Sequence, residues 1–119
     1  MPKTVLVVED DFLIAEDLRQ TLVSLGWRVL GPAPSVQKSL ELLERERPAV
    51  AVLDMHLVQE FVTPVAVALR EMGIPFIAAS SVRDLDEVDA LVFRGIVNIG
   101  KPYASQRLQQ ALVDAISSA

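Results

Sequence analysis

Short runs of aliphatic residues alternate along the chain with stretches whose apolar residues recur every three or four positions. Val5-Leu6-Val7-Val8 is the first run, and four apolar residues in a row suit a strand buried on both faces. Ile14, Leu18, Leu22 and Leu25 then share one helical face, which Gly26 ends. "WRVLGPAPS" predicts a second strand and a turn, with Ser35 capping a helix whose inward face is Val36, Leu40 and Leu43. Pro48 stops that helix, and Val50-Ala51-Val52-Leu53 forms a third strand closing on Asp54. Pro64 suits the first turn of a helix bearing Val65, Leu69 and Met72, which Gly73 ends. "PFIAAS" reads as a fourth strand and "IVNI" as a fifth. Between them a helix from about Asp84 to Phe93 has Leu85, Val88 and Val92 inward. The last helix, from about Ser105 to Ser117, gathers Leu108, Ala111, Leu112, Ala115 and Ile116 on one face.

Five buried strands alternating with five helices imply an α/β, doubly wound parallel sheet with helices on both faces. Ligands of such sheets bind beyond the carboxyl ends of the strands. Glu9, Asp10, Asp54, Ser80 and Lys101 each follow a strand's last apolar residues, directly or nearly so, and are expected to converge on one edge.

Composition narrows the classes. The 119 residues, 51% hydrophobic and 23% charged, suit one folded domain over 1–119, with no repeat or linker to divide it. No apolar run approaches the about 18 residues of a membrane span, and no signal pattern opens the chain, so the expectation is a cytoplasmic protein without membrane contact. The absence of cysteine removes disulfides and thiolate metal sites. A net charge of −5 with scattered basic residues argues against nucleic acid as partner.

Two or three carboxylates in an oxygen-rich surround suit Mg²⁺, a hard ion that takes few protein ligands. With a lysine ammonium and a serine hydroxyl beside them, they make a site for a phosphoryl group. One carboxylate can be the nucleophile while Lys and Ser neutralise charge on the phosphoryl oxygens. His56 is the sole histidine, and no glycine-rich phosphate loop occurs. Each residue also has a plainer reading. "EDD" at a helix start is ordinarily a solvated cluster favoured by the helix dipole, and an isolated Ser80 ordinarily caps a turn. Asp84, Asp86, Glu87 and Asp89 read as an exposed helix face. Core packing explains Trp27 and Tyr103, although Tyr103 follows Lys101-Pro102 at the rim. Phe61, Val62 and Phe93 are candidates for exposed apolar contacts.

"VLVVEDD", "VLDMHL", "PFIAAS" and "GKPY", in this order and spacing, resemble the receiver domains of two-component response regulators over nearly the whole chain. The resemblance implies a flavodoxin-like (βα)5 fold of strand order 2-1-3-4-5. It makes Asp54 the phosphoacceptor and Ser80 and Lys101 its catalytic partners. It assigns Mg²⁺ to Glu9, Asp10 and Asp54, with His56 contributing its backbone carbonyl, and it implies a cis Lys101-Pro102 bond. Asp11 is left as a surface acid at the helix start. The implied function is a response regulator, without an output module, that accepts a phosphoryl group from a sensor histidine kinase or a histidine phosphotransfer protein. It would catalyse only its own phosphorylation and dephosphorylation, and signal to a downstream protein target as a monomer or weak dimer. "FVTPVAVAL" and "FRGIVNIGKPY" look closer to a branch of single-domain receivers from alphaproteobacteria. Departures from the usual pattern are Asn98 in place of an aromatic, Ser81 in place of Ala or Gly, and Val58-Gln59-Glu60 in place of Pro-Gly. Asn98 favours a rival reading, an interaction module that keeps the fold but works without phosphorylation.

Overall fold

Thr4–Val8 (β1) lies at the centre of the molecule, and its residues Val5 to Val8 have at most 1% of their surface exposed. The structure is a computed structural model describing residues 3–54, 56–57, 60–79, 93–100 and 103–118. In chain order the elements after β1 are α1 (Phe12–Ser24), β2 (Arg28–Ala33), α2 (Val36–Arg45), β3 (Val50–Leu53), β4 (His56–Leu57), β5 (Glu60–Phe61), α3 (Thr63–Met72), β6 (Phe76–Ala78) and α4 (Ser105–Ser118). β2, β1, β3 and β6 form one parallel sheet in that order.

Side chains alternate across a strand, so β1 must be covered twice. Leu6 and Val8 join a cluster with Leu43 of α2 and Val65, Ala66 and Leu69 of α3. Val5 and Val7 join another with Leu18 and Leu22 of α1 and Leu108 and Leu112 of α4. The helices end where local chemistry stops them. Asp11 caps α1, its Oδ1 accepting from the N–H groups of Leu13 (3.0 Å) and Ile14 (3.1 Å). Ser35 caps α2 by accepting from Lys38 N at 3.1 Å. Pro64 sits in the first turn of α3, and Gly73 closes it.

Three features differ from the sequence expectation. Among the described residues the parallel sheet has four strands, and four helices accompany it, instead of five of each. "IVNI" contributes a single bridge, Ala78 to Asn98, because residues 93–96 are spent in a turn closed by Ile96 N donating to Phe93 O at 3.0 Å. Most of the helix expected from about Asp84 to Phe93 lies outside the described residues, and so does the Lys101-Pro102 bond. A second, unforeseen sheet pairs β4 with β5 antiparallel, His56 opposite Phe61 and Leu57 opposite Glu60.

The third difference is in β2, which runs through Gly31-Pro32 where a turn was expected. Its register against β1 shifts between Leu6 and Val8, and the Gly31-Pro32 peptide is cis. An edge strand tolerates proline, which lacks only a donor. Gly31 is required there. Its φ is +101°, and a Cβ would lie 2.7 Å from Ala33 N and 3.0 Å from Val7 O. No helix among the described residues is long and apolar enough to cross a membrane.

Candidate functional site

β1 and β3 are neighbours with Val8 level with Leu53, so the residue after each strand leaves the sheet at the same height. Glu9 follows β1 and is fastened by its N–H to Ala33 O at 3.0 Å; Asp54 follows β3 and is fastened by its N–H to Val8 O at 2.9 Å. The backbone ladder thus continues one residue beyond the apolar core and delivers two acids side by side. Asp10 comes next in the chain. Carboxylate oxygens of Glu9, Asp10 and Asp54 lie within 4.8 Å of one another. Glu9 and Asp54 are buried, at 3% and 8% exposure, and Asp10 is half-buried.

That arrangement carries a cost. Three ionised carboxylates at such separations repel by roughly 3 kcal/mol per pair at an effective dielectric of about 20. Part of the charge is met locally, since Glu9 Oε2 accepts from Asp11 N at 3.2 Å. Asp11 itself turns away to cap α1, as its plainer reading required. The donor set is oxygen only, anionic and convergent, which fits a hard divalent cation such as Mg²⁺ and does not fit a thiolate- or imidazole-seeking metal. Tyr103 feels the same field. Its phenol is pushed up to about 12 by burial and by the negative charges of Asp17 and Glu9.

Of the other expected site residues, Ser80 and Lys101 lie outside the described residues. His56 begins β4 two positions beyond Asp54, its backbone paired with Phe61. Asn98 lies at the one bridge of the segment, is exposed, and accepts from Gly100 N through Oδ1 at 2.9 Å. The expected apolar contact residues separate. Phe61 is 52% exposed, but Val62 at 0% and Phe93 at 6% are core. Phe93 is held edge-on against Phe76, with ring centroids 5.9 Å apart. Trp27 is buried, as core packing required, and its indole N–H donates to Gln109 Oε1 at 2.8 Å. The sequence reading passed over Phe12 and Leu13, which stand 79% and 77% exposed where α1 leaves the acid cluster. Their signal was their position off the Ile14-Leu18-Leu22 face.

Known proteins share this framework. The signal receiver domain of a modulated diguanylate cyclase from Desulfovibrio desulfuricans G20 superposes with a TM-score of 0.88 at 27% identity, covering 99% of this chain and 96% of that one. A response regulator receiver protein from Sinorhizobium medicae WSM419 gives 0.82 at 21% identity, covering 98% and 96%. By sequence, the chain is 29% identical over 120 residues to the transcriptional regulatory protein PdtaR of Mycobacterium tuberculosis, covering 98% of this chain and 58% of PdtaR. It is 29% identical over 110 residues to the sensory transduction protein LytT of Bacillus cereus, covering 91% of this chain and 45% of LytT. The chain therefore spans 58% or less of the length of these curated relatives. No family model matches it. The molecule has the α/β receiver fold. Its relatives and structural neighbours support a response regulator receiver domain of two-component signalling.

Proposed function

We propose that the chain is a Mg²⁺-dependent phosphoacceptor in which Asp54 takes a phosphoryl group from a sensor histidine kinase or a histidine phosphotransfer protein. The observation that carries this reading is the buried convergence of Glu9, Asp10 and Asp54 at the carboxyl ends of β1 and β3. An Asp54 carboxylate oxygen attacks phosphorus while the N–P bond of the donor's phosphohistidine breaks, its electron pair returning to the imidazole. Water later hydrolyses the acyl phosphate and restores Asp54. Glu9, Asp10 and Asp54 would hold the ion, which when bound neutralises charge on the phosphoryl oxygens. Glu9 stays in place through its backbone bond to Ala33 and its side-chain bond from Asp11, so the acids converge before any ligand arrives. Lys101 and Ser80 take the parts that the resemblance implies: the ammonium neutralises phosphoryl charge and the hydroxyl donates to it. Beyond its own phosphorylation and dephosphorylation the domain catalyses nothing. It works in the cytoplasm through a downstream protein, and we place it in the alphaproteobacterial single-domain branch on "FVTPVAVAL" and "FRGIVNIGKPY".

Acetyl phosphate with Mg²⁺ tests the assignment by intact mass. The wild-type chain gains one phosphoryl mass, and Asp54→Asn gains none. Uptake by the variant equal to wild type would overturn the reading. Asp10→Asn supplies a second test. Relieving one repulsion raises the melting temperature without Mg²⁺ and removes the stabilisation that millimolar Mg²⁺ gives the wild type. An unchanged Mg²⁺ response would move the ion elsewhere.

A further inference from the structure

β6 presents a backbone edge that the described residues do not complete. Along a strand, successive residues direct their N–H and C=O groups to opposite neighbours. Pro75 O accepts from Ala51 N, and Ala79 N donates to Leu53 O, so the odd-numbered residues of β6 serve β3. The even-numbered ones serve the other side. There Ala78 uses both its groups, donating to Val97 O and accepting from Ile99 N, each at 2.9 Å. Phe76 shares that side, and among the described residues no backbone group bonds to it there. The turn over residues 93–96 is the reason, since it keeps the preceding chain from running alongside.

Beside this edge a groove of about 850 Å³ opens between β6, residues 95–99 and α4, floored by Ile74, Ile77, Ile96, Val97, Ala111 and Ala115. Its charged margin consists of Arg70, Arg107 and Asp114. Asp114 already accepts from Gln110 Nε2 at 2.8 Å. Arg70 is pinned over the start of β6, 5.5 Å above the Phe76 ring and donating to Arg94 O at 2.8 Å. A chain of net charge −5 therefore sets two guanidinium groups beside its open strand edge.

Each property narrows the occupant. An unmet backbone N–H and C=O pair at a sheet edge is satisfied by another extended backbone. An apolar floor takes the side chains of alternate residues. The guanidinium groups select carboxylates on the residues between. The groove follows α4 from Gln106 to Ser118, which at 1.5 Å per residue is about 18 Å, the length of roughly five extended residues. We propose that the β6 edge binds an extended segment of a partner protein, apolar at alternate positions and acidic between them, which adds to the sheet as a further strand. This surface lies on a different part of the molecule from the acid cluster, and its use does not depend on phosphorylation of Asp54.

The test uses the ¹⁵N-labelled full chain and a terminally blocked peptide of about seven residues alternating valine with glutamate. Saturable amide shifts at Phe76, Val97 and Ala111 are expected, together with slower exchange of the Phe76 amide. A peptide with lysine for glutamate, and the Arg107→Glu protein with the original peptide, each bind about tenfold more weakly or worse. N-methylation of the central valine removes binding. The melting temperature of Arg107→Glu stays at the wild-type value, since Arg107 is exposed. Three results would overturn the proposal. They are no saturation at several millimolar peptide, equal binding of the lysine peptide, and a Phe76 amide as protected as Ile77 before any peptide is added, which would mean that the chain closes its own edge.

Discussion

The two outer strands of the sheet are finished differently. β2 runs six residues beside β1 and holds four paired positions, ending in a cis Gly31-Pro32 that removes a donor and bends the register. β6 is three residues long, and its outer side is met by one bridge. A long, twisted, proline-bearing edge discourages further pairing, while a short edge flanked by an apolar groove leaves room for it. The difference teaches that strand count alone does not describe this sheet. One side is closed by the chain's own backbone, and the other is held by a turn, a bridge and the Arg70 tether.

The largest effect that would sharpen the contrast comes from the core against the loose side. Leu6→Ala, at a fully buried position of β1, is expected to cost about 3 kcal/mol in urea unfolding, whereas Val97→Ala, 51% exposed, changes stability by less than about 0.5 kcal/mol. Equal costs would mean that the 93–100 segment is as tightly built as the centre. Next come two glycines with positive φ, one near each edge. Gly31→Ala must strain the backbone and push a Cβ against Val7 O and Ala33 N, for about 2–3 kcal/mol. Gly95→Ala meets nothing within 4 Å and is expected to cost only about 1 kcal/mol of conformational strain. A reversed order would break the comparison.

Arg70→Ala removes the bond to the Arg94 carbonyl and the cation over Phe76. The expected loss is about 1 kcal/mol, with faster amide exchange confined to residues 93–99. Exchange that spread equally into β2 would show that the two edges are not independent. The smallest effect lies at the acid end that both edges flank. Tyr103, raised from an ordinary value near 10 to about 12, favours the folded state while its phenol is protonated. That contribution is complete below pH 10 and is lost as pH climbs from 10 to about 12. Ultraviolet titration of the phenolate should follow this window, and Asp17→Asn should lower the midpoint. An unchanged midpoint would remove Asp17 as a cause.

Where the signal was local, the residues could be read directly. Ser35 as a helix cap, Pro64 and Gly73 bounding α3, and the inward Leu18, Leu22, Leu108 and Leu112 all depend on neighbours a few positions away. The acid cluster was legible for a related reason. Runs such as Val5–Val8 and Val50–Leu53 mark buried strands, and the residue after each must emerge at the sheet's rim. The β4–β5 pairing was not legible, since two-residue strands are too short to carry an alternation. Val62 and Phe93 were misplaced on the surface because only packing, including the contact of Phe93 with Phe76, decides whether an apolar residue near a turn is covered.

By itself, then, the sequence determined the alternation of strands and helices, the caps that start and stop them, and which acids stand at strand ends. Those properties follow from periodicity and from hydrogen bonds over a few residues. Tertiary structure alone decided that β2 carries its pairing through Gly31-Pro32 and that "IVNI" yields one bridge. It also decided that Glu9, Asp10 and Asp54 come within 4.8 Å of one another while Phe12 and Leu13 stay outside. The physical reason is that strand pairing and burial are contacts between residues far apart in the chain. Their energy depends on what arrives opposite, and no single segment contains that information.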